Sequence, residues 1–133
     1  KPKCSNSTYK SLNNFWKSLG SFTYNLTKNQ HDTLMSQTSH IAHLMSYIFV
    51  QSLPQSIIND NLSLLLGGGI KEHIRLSKSD PKMWTDIFVN NRSNLIKSIN
   101  RIEKNITNLK KMISESDANK IKRLLSKIQI KTK

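Results

Sequence analysis

The 133-residue sequence predicts a mainly α-helical chain, preceded by one short helix and one strand. Long stretches contain no glycine or proline, the residues that most often end a helix. Residues typical of helix N-caps precede such stretches at Thr27, Asp80 and Asp117. Apolar residues recur every three or four positions over residues 95–113, which is the period of one helical face.

The first 26 residues predict a helix, a turn and a strand. Gly20 directly follows the helical pattern, at the position where a left-handed residue commonly ends a helix. The next stretch, "SFTYNL", alternates apolar and polar residues like a half-buried strand. Because one strand cannot bury itself, this segment should be the tail of an α/β unit whose other strands lie outside the chain. The apolar positions are Leu12, Phe15, Trp16 and Leu19 in the helix, and Phe22, Tyr24 and Leu26 in the strand.

A capping box begins the second helix. Thr27 is expected to accept a hydrogen bond from the backbone N–H of Gln30, whose side chain reaches back to Thr27. Because no glycine or proline follows before Pro54, the helix should run for about 26 residues. Its second half, "IAHLMSYIFV", is apolar on nearly all sides, so we expect it to be buried on most faces.

The rest of the chain predicts further helices. A short helix is expected over residues 57–66, ending at three glycines, 67–69, where the chain can turn sharply or let another backbone approach. Asp80 followed by Pro81 predicts a helix start, and Asp117 predicts another. Between these starts lies an apolar seam of Leu95, Ile99, Ile102, Ile106, Leu109 and Ile113; the last helix carries Ile121, Leu124 and Ile128 on one face. A seam this long needs a partner surface, and a second copy of the chain, forming a homodimer, is the simplest source.

Composition excludes several classes of function. The net charge of +13 invites a nucleic-acid partner, but 17 of the 21 cations are lysines spread along the whole chain, which is typical of a solvated surface. A single cysteine, Cys4, permits neither an internal disulfide nor a cysteine-based zinc site. No signal peptide or membrane span is visible. We therefore expect a soluble cytoplasmic protein that binds neither nucleic acid nor membrane.

Three of the four histidines, His31, His40 and His43, fall within thirteen positions. On a straight helix His40 and His43 share a face, whereas His31 points to the opposite side, so the three cannot bind one metal ion. The pair His31-Asp32 is also similar to the dyad of HD-type metal-dependent phosphohydrolases. That class needs another histidine upstream, and none precedes His31. We expect no metal site.

The simplest interpretation of each histidine is a polar group in a helical core, bonded to a nearby hydroxyl. Ser36, Thr38 and Ser39 are close enough in the sequence to supply one. Three histidines on one helix that leads into an apolar segment weaken this interpretation and keep a binding site open as the alternative.

Arg75 is a second candidate, since it is one of only four arginines and follows the glycine-rich turn. As a surface residue it would pair with Glu72, one helical turn earlier. As a binding residue its planar guanidinium would hold a carboxylate with two parallel hydrogen bonds, which lysine cannot do.

Several ordered motifs resemble the C-terminal half of prephenate and arogenate dehydrogenases. The family pattern contains a Trp, then Leu-Gly, His-Asp, Ser-His-x-Pro-His, Gly-Gly-Gly-Phe, Thr-Arg, Ser-Asp-Pro-x-Met-Trp and Asn. The matching positions are Trp16, Leu19-Gly20, His31-Asp32, residues 39–43, residues 67–70, Ile74-Arg75, residues 79–84 and Asn91. The chain departs from the pattern at Ala42, where the family has proline, at Ile70, where it usually has an aromatic residue, and at Glu72, where it often has aspartate.

The resemblance implies a helical dimerisation domain of the 6-phosphogluconate-dehydrogenase C-terminal-like type. Residues 1–26 would be the tail of a Rossmann domain, and residues 27–133 the substrate-binding and dimerisation domain. It implies an oxidoreductase of tyrosine biosynthesis that oxidatively decarboxylates prephenate or arogenate with NAD or NADP, with tyrosine as a candidate inhibitor. The implied substrate-binding residues are Arg75, His43, His40, His31 and Trp84.

The same resemblance places the hydride-transfer residue and the cofactor site in a missing N-terminal domain. The chain has only four glycines and no G-x-G-x-x-G loop, so by itself it should be inactive. Two alternatives remain open at this point: a non-catalytic helical scaffold and the HD-type phosphohydrolase.

Overall fold

The computed structural model describes residues 4–59 and 66–132, which form two compact units, Lys1–His31 and Asp32–Lys133. These described residues contain α-helices, one π-helical segment and no strand. The helices are α1 (Asn6–Ser18), α2 (Lys28–Met35), α3 (Ile41–Gln51), α4 (Gln55–Asn59), α5 (Gly68–Ser77), α6 (Pro81–Asn90), α7 (Arg92–Ser114) and α8 (Ala118–Lys131), and the π-helical segment is Ser36–His40.

The predicted end of α1 is confirmed. Gly20 adopts the left-handed conformation, with φ of +79°. The backbone N–H of Gly20 donates to the Lys17 carbonyl at 3.0 Å and that of Ser21 to the Trp16 carbonyl at 3.1 Å. These bonds satisfy carbonyls that the last helical turn would otherwise leave without donors.

The predicted strand after Gly20 is wrong for this chain. Residues 21–27 are neither helix nor strand, and Phe22 and Tyr24 are 92% and 86% exposed. A strand exists only through ladder bonds to a neighbour, and the part of the chain that the structure describes offers none. The segment is held to α1 by side chains instead: Tyr9 donates to Asn25 at 2.7 Å, and Thr23 donates to Asn13.

The long histidine-bearing helix is confirmed in extent. The capping box forms as predicted, with Thr27 N–H donating to Gln30 Oε1 at 2.9 Å and Gln30 N–H donating to Thr27 Oγ1 at 3.2 Å. Helix α2 then runs without a break through the π-helical segment into α3. A π-helical segment adds a residue to the turn, so it changes the direction in which all later side chains of the helix point. The prediction for His31 assumed a straight α-helix and did not include this change.

The burial predicted for the second half of this helix is only partly present. Ser46 is fully buried, but Ile48 and Phe49 remain 49% and 37% exposed. Helix α3 packs on α5 and, less extensively, on α7, and these contacts leave part of its apolar surface uncovered. One chain therefore does not bury this helix on most faces.

The three glycines begin a helix instead of ending one. Gly67 is the N-cap of α5, in an extended conformation, and the next two glycines form its first turn. None of the three has a positive φ, so no sharp left-handed turn occurs there. The preceding helix, α4, ends at Asn59, and the remainder of the predicted helix over residues 57–66 falls largely outside the described residues.

The other helix starts are confirmed. Asp80 caps α6 by accepting from the Lys82 amide at 2.8 Å, and Pro81 is the first helical residue. Asp117 caps α8 by accepting from the Lys120 amide at 2.9 Å. The hydrogen bond from the Lys120 side chain, together with the backbone bonds, lowers the pKa of Asp117.

The second unit has a small core. Its buried apolar side chains among the described residues are Trp84 and Leu95, and its buried polar residues are Ser36, Ser46, Asn91 and Ser98. Helix α7 packs on the π-helical segment, α6 and α8. Nowhere in residues 4–59 and 66–132 is a helix long and apolar enough to cross a membrane.

Candidate functional site

Trp84 is the centre of a cluster of rings in the second unit. Its indole is only 6% exposed and lies on α6, one turn after the Asp80 cap. The His43 ring stacks on it with centroids 3.7 Å apart and planes 21° from parallel. The His40 ring contacts it edge-on at 6.2 Å, and Phe88 packs at 5.5 Å. The structure thus brings together His40, His43 and Trp84, three of the predicted site residues.

The indole nitrogen of Trp84 is a buried hydrogen-bond donor. Within the described residues, Nε1 has no hydrogen-bond partner. Leaving such a donor unsatisfied costs about 1 to 3 kcal/mol, so native structures seldom do so without reason. An acceptor supplied from outside these residues would remove the cost.

Asn91 lies at the junction of α6 and α7. It connects α7 to the histidine helix, the continuous helix formed by α2, the π-helical segment and α3. Its Nδ2 donates to the backbone carbonyl of Asp32 at 2.7 Å and lies 3.2 Å from Nδ1 of His40. Its Oδ1 accepts from Asn94 Nδ2 at 2.9 Å. Because a carbonyl can only accept, these contacts determine which end of the amide is the nitrogen.

The hydrogen-bond network also assigns the protons of the two histidines. Since Asn91 Nδ2 is a donor, Nδ1 of His40 accepts, and the ring proton is on Nε2. His43 is the opposite case, because its Nδ1 lies 3.1 Å from the Ser39 carbonyl and must donate. The partner of His43 is thus a backbone carbonyl, not the hydroxyl that the simplest interpretation predicted.

Arg75 forms the ion pair with Glu72 that its surface interpretation predicted. Nε donates to Glu72 Oε2 at 2.9 Å and Nη2 to Oε1 at 2.6 Å. The two side chains are 68% and 57% exposed. The hydrogen bond lowers the pKa of Glu72 and raises that of Arg75, so both remain charged around neutral pH.

A part-buried histidine–serine contact joins α5, which carries Arg75, to α3. Ser46 is fully buried and donates its hydroxyl to the Ala42 carbonyl at 2.8 Å. Its oxygen therefore accepts from Nδ1 of His73, 3.0 Å away. The His73 ring also packs on Phe49 with centroids 4.8 Å apart.

Two of these residues, Asn91 and His73, received no role from the sequence. Asn91 appeared only as a matching position, and asparagine is common at helix ends for capping alone. For His73 a signal existed, because it shares one helical face with Ile70 and Ser77, both partly buried. His31 belongs to the first unit and is exposed, whereas the ring cluster consists of second-unit residues.

Across residues 4–59 and 66–132, no three His, Cys, Asp or Glu side chains converge as a metal site would require. Apart from the Trp84 N–H, the cluster's polar groups hydrogen-bond to one another or to backbone carbonyls: His40 to Asn91, and His43 to Ser39.

Comparison with known proteins places these features in a family. The family model for the prephenate dehydrogenase dimerization domain matches residues 27–127. The chain is 24% identical to prephenate dehydrogenase of Bacillus subtilis over 111 residues, which is 80% of the chain and 29% of that protein. It is 20% identical to cyclohexadienyl dehydrogenase of Zymomonas mobilis over 105 residues, which is 77% of the chain and 36% of that protein.

Solved structures agree with this assignment. The structure of prephenate dehydrogenase from Aquifex aeolicus, in complex with hydroxyphenyl propionate and NAD+, superposes with a TM-score of 0.78 at 28% identity, covering 99% of this chain and 46% of that one. The chain therefore spans about a third to a half of the length of the relatives it matches. It belongs to the family of prephenate dehydrogenase dimerization domains.

Proposed function

We propose that this chain is the substrate-binding and dimerisation part of an NAD(P)-dependent prephenate or arogenate dehydrogenase, an oxidoreductase of tyrosine biosynthesis. The observation that carries the proposal is the buried indole N–H of Trp84, which has no acceptor among the described residues and belongs to a ring that contacts two imidazoles. In a chain of this family, an oxygen of the substrate would accept a hydrogen bond from this donor.

The ring cluster suits an anionic, ring-shaped substrate. The Nε2–H of His40 and the Nε1–H of Trp84 are donors for carboxylate or hydroxyl oxygens. In neutral His43, Nε2 is an acceptor, because Nδ1 holds the proton. Donors fixed before the ligand arrives lose little entropy on binding and act strongly in a water-poor site.

Arg75 is proposed to bind a substrate carboxylate while remaining paired with Glu72. The pair uses Nε and one hydrogen of Nη2, which leaves both hydrogens of Nη1 and one of Nη2. One hydrogen of Nη1 and the remaining hydrogen of Nη2 point in the same direction, at the end of the guanidinium, and form a second site for a bidentate carboxylate. Glu72 would hold the guanidinium plane in position for it.

The cofactor is proposed to bind outside these residues. A dinucleotide needs a glycine-rich phosphate loop, and the four glycines of the chain, at positions 20 and 67–69, do not form that pattern. Residues 1–26 are proposed to be the tail of the cofactor domain, with residues 27–133 as the substrate and dimerisation domain. The exposed apolar stripe of α1 and its C-cap residue, with Trp16 at 47% and Leu19 at 62%, supports this division because it needs further apolar surface to pack against.

A homodimer is proposed through the seam of α7. Ile106 and Ile113 on this seam are 53% and 59% exposed in a single chain. An apolar groove between α7 and α8 continues the same surface; its lining includes Ile102, Ile106, Leu109, Met112, Leu124 and Ile128. A second copy would cover this surface, in keeping with the dimerization domain that the family model describes.

The activity is tested by comparing the intact protein with this chain alone. A protein that joins the chain to a cofactor domain is expected to reduce NAD or NADP when given prephenate or arogenate. The 133 residues alone should give no turnover, since they lack the phosphate loop. Turnover by the rigorously purified chain would contradict this division of roles, and an intact protein inert towards both substrates would contradict the proposed activity.

Arg75→Ala in the intact protein is expected to raise KM at least roughly tenfold, because the substrate carboxylate loses its bidentate partner. The carboxylate is present in both ground and transition states, so kcat should fall less than KM rises. Arg75→Lys should restore only part of the loss, since it keeps the charge but not the planar fork. Initial-rate kinetics measure all three proteins.

Arg101→Ala is the matched control, since Arg101 is an exposed arginine on α7. It should leave KM unchanged. Near-normal kinetics of Arg75→Ala would mean that the contact with Glu72 is the whole role of Arg75.

A further inference from the structure

We propose that Asn91 is a positioning residue that holds the π-helical segment Ser36–His40 and sets His40 as the tautomer protonated on Nε2. This inference rests on the proposed function only where it gives that proton a use. The rest concerns the folded chain alone.

The π-helical segment is preceded by carbonyls that accept from side chains. The Asp32 carbonyl accepts from Asn91 at 2.7 Å, that of Thr33 from Ser36 at 2.7 Å, and that of Leu34 from Thr38 at 2.9 Å. A π-helical turn interrupts the regular ladder of α-helical bonds, so extra donors at this place stabilise it. Ser36 and Thr38 are on the same helix, whereas Asn91 is 59 residues from Asp32.

Asn91 is suited to hold this segment because it is itself fixed. It is only 8% exposed, and Asn94 donates to its Oδ1 at 2.9 Å. Both hydrogens of its Nδ2 have acceptors on the histidine helix, one at the Asp32 carbonyl and one at Nδ1 of His40. The amide thus contacts both the helical turn that precedes the π-helical segment, at Asp32, and the last residue of that segment, His40.

The tautomer follows from this geometry. A ring nitrogen that faces an N–H donor must offer its lone pair, so the proton of neutral His40 is on Nε2. In the proposed site this proton is a donor for an oxygen of the anionic substrate. The opposite tautomer would place a lone pair towards that oxygen and repel it.

The test reads the ring nitrogens of His40 by ¹⁵N NMR at alkaline pH, where histidines are ordinarily neutral. In the unmodified chain, Nδ1 should have the chemical shift of an unprotonated nitrogen and Nε2 that of a protonated one. In Asn91→Asp the introduced carboxylate can only accept, so it should draw the proton to Nδ1 and invert the two shifts. A change of packing alone would not exchange the two nitrogens.

Asn90→Ala is the matched control. Asn90 is the adjacent asparagine, but it is exposed and donates to the Asp86 carbonyl of its own helix at 2.8 Å. This variant should leave the His40 shifts unchanged. A proton on Nδ1 in the unmodified chain would overturn the proposal even if Asn91→Asp does not fold, and unchanged shifts in a folded Asn91→Asp would overturn it as well.

Kinetics of the protein with its cofactor domain then separate this inference from the proposed function. Asn91→Asp should lower kcat/KM roughly 10- to 100-fold, the range for losing a hydrogen bond to a charged group, and Asn90→Ala should not. Inverted shifts with unchanged kinetics would support the positioning role and contradict the proposed use of the His40 proton.

Discussion

Replacing Trp84 with alanine is expected to lower the free energy of unfolding by about 3 to 5 kcal/mol, the range for a large buried aromatic side chain. Trp84 and Leu95 are the buried apolar side chains among the described residues, and the indole contacts His43, His40 and Phe88. Because small domains are stable by only about 5 to 15 kcal/mol, the variant should lose a large part of its free energy of unfolding. Urea denaturation followed by far-ultraviolet circular dichroism measures the change.

Trp16→Ala is the control for this prediction. Trp16 is 47% exposed on α1, and its ring contact is an edge-on one with Phe15 at 5.5 Å. The same substitution there should cost much less stability. Equal losses at the two positions would contradict the central role of the Trp84 cluster in the second unit.

Trp84→Phe separates packing from hydrogen bonding. A phenyl ring keeps most of the stack on His43 and removes the buried N–H that has no acceptor among the described residues. The folded chain should therefore lose less stability than with alanine. In the protein with its cofactor domain, the proposed donor to the substrate would be lost, so KM should rise although the fold survives.

Ile102→Asp is expected to prevent assembly of a stable dimer. Ile102 is partly buried on α7 and lines the groove between α7 and α8. An aspartate there would put an uncompensated charge in the proposed interface, at a cost of about 3 to 5 kcal/mol. Light scattering should give about twice the chain mass of 15.3 kDa for the unmodified protein. The variant should be aggregated or unfolded, because such apolar interfaces rarely leave a stable monomer.

Ile130→Asp provides the comparison for the dimer. Ile130 is 72% exposed near the end of α8, so a charge at this position should be tolerated. A folded, monomeric unmodified chain at high micromolar concentration would contradict the proposed homodimer. A dimeric Ile102→Asp protein would instead place the interface elsewhere on the surface.

Local sequence was enough to predict three helix starts and the end of α1, although it assigned the three glycines 67–69 to a helix end and they begin α5. The caps at Thr27, Asp80 and Asp117 and the left-handed Gly20 were all predicted and are all present. They were predictable because each cap is a contact between residues at most five positions apart, whose geometry the local sequence dictates. The strand after Gly20 failed for the complementary reason, since a strand depends on a neighbour that the local sequence does not contain.

The side-chain partners of His40 and His73 depend on tertiary structure and could not be predicted from local sequence. Asn91 meets His40 across 51 residues, and His73 meets Ser46 across 27. Periodicity predicts which face of a helix is buried, but not which side chain of another helix lies opposite it. The contact of the π-helical segment with Asn91 is of the same kind, because His40 ends the segment and Asn91 follows the last residue of α6. The backbone groups at a helix end are hydrogen-bonded by residues within about one turn of the chain, so local sequence could predict them. Buried polar groups are hydrogen-bonded by residues that are distant in sequence and come together only when the chain folds. Local sequence therefore could not predict the hydrogen bonds that order the site.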